Sequence, residues 1–336
     1  RNMGLVDRMT VVNGRTPSFL SVALVFMPLI FGEQQDPYEW EDLSWLKNCS
    51  DDDFRSLSRI IANATFLSYV STHGSYYDPE YDNATVNGWK RRYEHSRDPA
   101  NGGMHALFFS NRNYGLLALR GTDLGTSVTS HLADSCADKL LWNNQTYDQL
   151  PVYCKVFTAH TLDYYSRAVD LLHEVCRSNP NMSLMLTGHS LGAGLSILLS
   201  ALSTPPGCTF LRAVAFSAPG VQIALERRQG VGEVDPKTAF VLADTYDPVF
   251  VSSVCPRDLS SNSSVCLWES QLTRDCATCY DRLPPVQYAD PFCLSCVSQR
   301  HIYAHYFKDL VPRGRPRCSG PIPDWIYDKC PGVFVS

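Results

Sequence analysis

The 336-residue sequence contains no G-x-G-x-x-G, no G-K-S/T phosphate loop and no H-E-x-x-H pair. Nothing in it therefore calls for a nucleotide-binding or zinc-protease reading. It also lacks an excess of positive charge. With 34 acidic against 29 basic residues and a formal charge of −5, it has no global electrostatic footprint for nucleic acid. A long apolar run is missing too. The segment 18–31, SFLSVALVFMPLIF, has 14 residues with Pro28 among them, against the roughly 20 needed to span a bilayer as a helix. It reads equally as a buried strand or short core helix and as the remnant of a signal or anchor, so N-terminal or peripheral membrane association stays open. At 44% hydrophobic and 19% charged residues, the chain is too apolar for disorder and long enough for one dominant core with elaborations.

What is abundant is cysteine. Thirteen are present, too many for an ordinary cytosolic enzyme. Six N-x-S/T sequons, at Asn48, Asn63, Asn83, Asn144, Asn181 and Asn262, accompany them. With 14 asparagines in all and Ser/Thr in the third position about 15% of the time, chance would give roughly two. Both features point to an oxidising route through the secretory pathway, with a lysosomal or vacuolar lumen or the cell exterior as destination, and to glycans at those asparagines.

Along the chain, FRSLSRIIANATFLSYV places Phe54, Leu57, Ile60, Ile61 and Phe66 on a helical spacing, the pattern of a core stripe. Short apolar runs then alternate with helical stretches: HALFFS, YGLLALRGT, a helix around 162–175, MSLMLTGHS, LGAGLSILLSAL, FLRAVAFSAPG and AFVLADTYDPVF. Such a rhythm predicts βα units around a mostly parallel sheet flanked by helices, an α/β fold. After residue 251 the sequence turns rich in Cys, Pro and Ser, with C-x2-C pairs at 276/279 and 293/296. Disulfides fit the oxidising route, whereas a structural zinc would need four reduced thiolates. The expected organisation is an N-terminal apolar segment and extension (1–49), an α/β domain (50–320) with a disulfide-stapled insertion (251–299), and a C-terminal tail (321–336).

The most specific motif is Gly188-His189-Ser190-Leu191-Gly192, a G-x-S-x-G between an apolar strand and an apolar helix. A serine in such a turn projects over the sheet edge, and the helix start behind it favours a developing negative charge. Serine becomes a useful nucleophile when a histidine takes its proton and a carboxylate holds that histidine. In this architecture acid and base follow the nucleophile in that order. Asp247, at the end of AFVLADTYD and before Pro248, is the preferred acid, with Asp244 as competitor. His301 and His305 are the histidines that follow, one helical turn apart if the stretch is helical. His301 is the preferred base and His305 its alternative. Thr122, after the strand YGLLA, and the amide of Leu191 are candidate oxyanion donors. Arg120 reads as an anchor for its loop through a carboxylate. No cofactor and no catalytic metal are implied.

These motifs resemble the class 3 (fungal-type) lipases of the α/β-hydrolase fold, and among them the autophagic-body phospholipases of vacuoles and lysosomes. The matching pieces are GWKRRY, LALRGT, TLDYYSRAVDLLHEV, LMLTGHSLGAG, AVAFSAPG and DTYDPVF, within residues 50–310. Relatives usually read GHSLGGA where this chain reads GHSLGAG. The resemblance implies Ser190 as nucleophile, Asp247 as acid and Thr122 with Leu191 as oxyanion donors. It also implies lipid carboxyl esters at a membrane surface as substrate, with a lid from 123–150 or from the cysteine-rich insertion. The alternative is a luminal or surface glycoprotein that keeps the fold as a lipid- or partner-binding module with a degraded triad. Either way the partner is lipid or protein and not nucleic acid.

Overall fold

In the computed structural model the chain divides into two compact units, Arg1–Tyr38 and Glu39–Ser336. The described residues are 49–69, 85–86, 88–96, 103–122, 128–143, 145–203, 205–229, 239–253, 265–280 and 290–318. All lie in the second unit. The apolar run 18–31, the tail 321–336 and the sequons at Asn48, Asn83, Asn144 and Asn262 fall outside them. No helix among the described residues is long and apolar enough to cross a membrane.

Helix α1 (Asp51–Tyr69) begins with three aspartates, whose charges suit the positive end of the helix dipole. Phe54, Leu57 and Ile61 on its inner stripe are fully buried, each worth about 1.5–3 kcal/mol relative to exposure. Ile60 and Phe66 are half-buried, and Phe66 stacks on Phe307 with ring centroids 4.9 Å apart.

The eight-stranded sheet runs in sequence order. Its first strands, β1 (Thr85–Val86), β2 (Trp89–Ser96), β3 (His105–Asn111) and β4 (Tyr114–Leu119), are antiparallel. A two-residue connection joins β3 to β4, with Arg112 at φ 51, the positive value that tight hairpins require. From β4 onward the order is parallel, through β5 (Met182–His189), β6 (Cys208–Phe216), β7 (Ala239–Asp244) and β8 (Val265–Trp268). Parallel strands need crossovers. Helices α2 (Val128–Trp142) and α3 (Tyr164–Ser178) lie between β4 and β5, α4 (Leu191–Leu202) between β5 and β6, and α5 (Gln222–Gln229) between β6 and β7.

The sheet is buried on both sides, which is why its strands read as apolar runs rather than alternations. Phe108, Leu117, Leu119, Leu184 and Leu186 share one core with Leu172 of α3 and Leu195 and Leu198 of α4. On the opposite face α1 meets the sheet, and Thr65 and Thr187 hydrogen-bond at 3.0 Å. Mostly parallel, helix-covered and bent at a serine elbow, this is the α/β-hydrolase architecture.

Past β7 the chain forms α6 (Pro248–Ser253), β8, α7 (Arg274–Tyr280) and α8 (Pro291–His301). The stretch expected to be a stapled insertion thus also contributes a strand to the main sheet. Four residues, VCLW, between Ser-rich sequence and a Glu-Ser turn are too short for a periodicity signal. Asp290 caps α8, accepting from the N–H of Phe292 at 2.9 Å, and Pro291 occupies the first turn, as expected for a helix start.

Among the described residues five disulfides join these parts: Cys136–Cys154, Cys176–Cys208, Cys266–Cys318, Cys276–Cys296 and Cys279–Cys293. The two C-x2-C pairs therefore pair with each other in nested fashion and clamp α7 onto α8.

Candidate active site

Ser190 sits between β5 and α4 at φ 56, ψ −124, a conformation that L-residues avoid unless their surroundings enforce it. Its N–H donates to the Phe216 carbonyl at 3.0 Å, and its own carbonyl accepts from Gly194 N–H at 3.1 Å. The flanking glycines have a steric cause. A Cβ on Gly188 would come within 2.4 Å of the Gly192 backbone, and one on Gly192 within 2.1 Å of the Leu119 carbonyl oxygen. The end of β4 thus presses directly on the turn. Leu191 is the first residue of α4, so its N–H is among the amides of a helix start that lack an intrahelical partner.

An unbroken hydrogen-bonded path runs from the serine inward. His301 Nε2 lies 2.9 Å from Ser190 Oγ, and His301 Nδ1 lies 3.0 and 3.1 Å from the two carboxylate oxygens of Asp247. Ser217 Oγ is 3.1 Å from the same Nδ1. Asp247 is fully buried and accepts from the N–H groups of Val249 and Phe250 at 2.9 and 3.3 Å, and from the Tyr306 hydroxyl at 2.6 Å. Burial by itself pushes its carboxyl up. The charge of His301 and hydrogen bonds from His301, Tyr306 and Ser217 outweigh this and hold it below the ordinary carboxylate value. Asp247 is therefore the ionised partner, able to hold one imidazole tautomer and stabilise an imidazolium.

His305 and Asp244, the competing base and acid, are brought to each other rather than to Ser190. His305 Nε2 lies 2.7 Å from Asp244 Oδ2 and Nδ1 3.0 Å from Asp309 Oδ2. Helix α8 ends at His301, and Ile302 adopts φ −58, ψ 128. That break turns His301 and His305 in different directions, although four residues apart on a continuous helix they would share a face.

His189 is buried, with Nδ1 2.8 Å from the Tyr69 hydroxyl and its ring 4.7 Å from that of His301. Burial first, and then the charge of His301, pushes its pKa well below the ordinary histidine value. It therefore stays neutral. The atoms of His189, Asp247 and His301 lie within 4.8 Å of one another, close enough to be taken for a metal trio. Both His301 nitrogens are already engaged by Ser190 and Asp247, which favours proton transfer as the use of this cluster.

Thr122 follows β4. Its hydroxyl donates to Asp138 Oδ2 at 2.9 Å, and Trp142 Nε1–H donates to the other oxygen at 2.9 Å. Burial pushes the Asp138 carboxyl up to about 6 against these two hydrogen bonds. Arg120 does meet a carboxylate, Asp134 at 3.6 Å. Tyr69 and Asp138 belong to no local motif, Ser217 is marked only by its place within AVAFSAPG, and Tyr306 is marked by standing five residues after His301, a spacing that resembles some relatives. They touch His189, Thr122, His301 and Asp247 respectively.

The family profile of the class 3 lipases matches residues 116–222. That segment is similar to the class 3 lipases. It carries Thr122, the elbow, Leu191 and Ser217, whereas Asp247 and His301 lie beyond the matched class 3 lipase segment and reach it through the fold. Among curated proteins, the chain is similar to one named "Putative lipase atg15" from Penicillium rubens, 26% identical over 211 residues, or 55% of this chain and 30% of that protein. A namesake from Kluyveromyces lactis is 39% identical over 64 residues, 19% of this chain and 11% of that protein. The chain thus spans less than a third of the length of these relatives. Among solved structures, the Lip2 lipase of Yarrowia lipolytica aligns with 66% of this chain and 81% of its own at 14% identity and a TM-score of 0.40. The extracellular lipase LipA of Serratia marcescens aligns with 77% and 51% at 14% identity and 0.45.

Proposed function

We propose that the chain hydrolyses lipid carboxyl esters, acylglycerols or glycerophospholipids, as a serine esterase. The observation that carries this reading is the hydrogen-bonded path from Asp247 through His301 to Ser190 on a strained elbow inside a class 3 lipase segment. Ser190 Oγ attacks the ester carbonyl as His301 Nε2 takes its proton. The amides of Thr122 and Leu191 stabilise the oxyanion, and His301 returns the proton to the leaving alcohol. Water, deprotonated by the same histidine, then releases the fatty acid from the acyl-serine. The Asp138 carboxylate orients Thr122 by holding its hydroxyl.

His301 within reach of Ser190 supports catalysis over the alternative of a non-catalytic binding module. Buried disulfides and sequons support a route through the secretory pathway into a lysosomal or vacuolar lumen or outside the cell, with action at a membrane surface. Replacing Ser190 by alanine tests the proposal. Hydrolysis of phosphatidylcholine vesicles and of a trioleoylglycerol emulsion should fall by about 10⁴-fold or more, and a fluorophosphonate should label the native protein but not the variant. Undiminished turnover by Ser190→Ala would overturn it.

A further inference from the structure

Next to the triad lies a second buried carboxylate–imidazole pair that the reaction does not use. Asp244, fully buried at the end of β7, accepts from Ser270 Oγ at 2.6 Å, from the N–H of Tyr246 at 2.9 Å and from His305 Nε2 at 2.7 Å. The other ring nitrogen of His305 meets Asp309 at 3.0 Å. Carboxylates only accept, so satisfying both requires both ring nitrogens to donate, which only the imidazolium can do.

His305 adjoins the π-helical turn Tyr306–Leu310, and this turn connects the pair to the chemistry. The buried Tyr306 hydroxyl accepts from Asp244 N–H at 3.0 Å and donates to Asp247 Oδ2 at 2.6 Å. One phenol thus spans both carboxylate-bearing residues. Tyr303, two residues before His305, is tied to α1 through the Ala62 carbonyl at 2.6 Å. Release of His305 would remove the tie between the Asp244 carboxylate and the turn that carries Tyr306, one of the donors that position Asp247.

We propose that His305 is a positioning residue for the esterase reaction: as an imidazolium bridging Asp244 and Asp309, it latches the turn that presents Tyr306 to Asp247. This rests on the esterase reading above. The charged and titratable groups facing His305 are Asp244 from β7, Asp309 and Tyr306 from its own segment, and Arg300 from α8, which lies 3.6 Å from Asp244. Burial and Arg300 oppose the charged ring. The bonds to Asp244 and Asp309 prevail and raise its pKa above the ordinary histidine value. The latch is therefore closed at acid pH and opens as pH rises through that raised value.

The test measures kcat, KM and fluorophosphonate labelling against pH with a soluble p-nitrophenyl ester, for the full native chain and for His305→Gln, Asp309→Asn and Asp309→Glu. A glutamine amide can donate to only one of the carboxylates. The expected result for His305→Gln is a kcat lower by about 10- to 100-fold with KM little changed, and loss of the fall in kcat on the alkaline side. Asp309 is more than half exposed, so its variants spare the core should His305→Gln fail to fold. Asp309→Asn should move the alkaline fall to lower pH, and Asp309→Glu should restore it. The latch is overturned if the native chain is active and its alkaline limb stays fixed in Asp309→Asn, or if His305→Gln keeps native kcat and profile. A native chain that neither turns over ester nor reacts with the probe removes the esterase reading itself, and the latch's catalytic role with it.

Discussion

At Asp138 one carboxyl is asked to do two incompatible things. It accepts hydrogen bonds from Thr122 and Trp142, which favours the anion, yet it is buried, which favours the acid; burial prevails and its pKa rises to about 6. In the unfolded chain the same group titrates near 3.9. The folded state therefore holds a proton that the unfolded state has released between about pH 4 and 6, and Asp138 takes stability away as pH rises through this window. Thermal unfolding of Asp138→Asn should lack this loss, so that its stability rises more with pH between 4 and 6 than that of the native protein, and its kcat should fall because the one amide oxygen must serve both Thr122 and Trp142. An unchanged slope would mean that Asp138 titrates near its ordinary value. At this scale the sequence is uneven as a guide. Ser190 was legible because strand, turn glycines and helix are contiguous, and the steric demands at Gly188 and Gly192 are met by their near neighbours and Leu119. The choice between His301 and His305 was not, since it depends on the backbone of Ile302. Asp138 gave no signal because its role exists only where α2 folds back onto the end of β4.

Helix α8 has His301 as its last residue and is clamped to α7 by Cys276–Cys296 and Cys279–Cys293, which close loops of 20 and 14 residues. Each crosslink restricts the unfolded chain, but the inner one is nested within the outer, so its own increment is the smaller. Replacing Cys279 and Cys293 together by serine should cost about 2 kcal/mol in denaturant unfolding. It should also lower kcat more than it raises KM, because the helix that presents the base loses one of two ties. Equal kcat at permissive temperature would assign the clamp to stability alone. The cysteine spacing announced crosslinking, and the α/β rhythm announced β3 to β7. Neither revealed that β8 joins the sheet, because four residues carry too little pattern and their partner strand β7 lies more than twenty residues earlier.

For the molecule as a whole, two sequons fall among the described residues and differ in setting. Asn181 is exposed at φ 64 in the turn that opens β5. Asn63 lies within α1, half-buried, with its Oδ1 out of contact with solvent. Expressed through a eukaryotic secretory route, the protein should carry glycan at Asn181 and little at Asn63, as read by peptide mass spectrometry after glycosidase treatment in ¹⁸O water. Full occupancy at Asn63 would require α1 to form after glycan transfer. The sequence supplies both sequons on equal terms, and only burial separates them.

The Tyr303 hydroxyl on the Ala62 carbonyl joins residues 241 apart, and His301 reaches Ser190 across 111. Synthesis runs in one direction, so the elbow serine exists for some time with neither its proton acceptor nor the segment that closes against α1. On the proposed reading, reactivity is acquired all at once, when the segment that carries His301 docks, and a molecule interrupted before that moment should be inert.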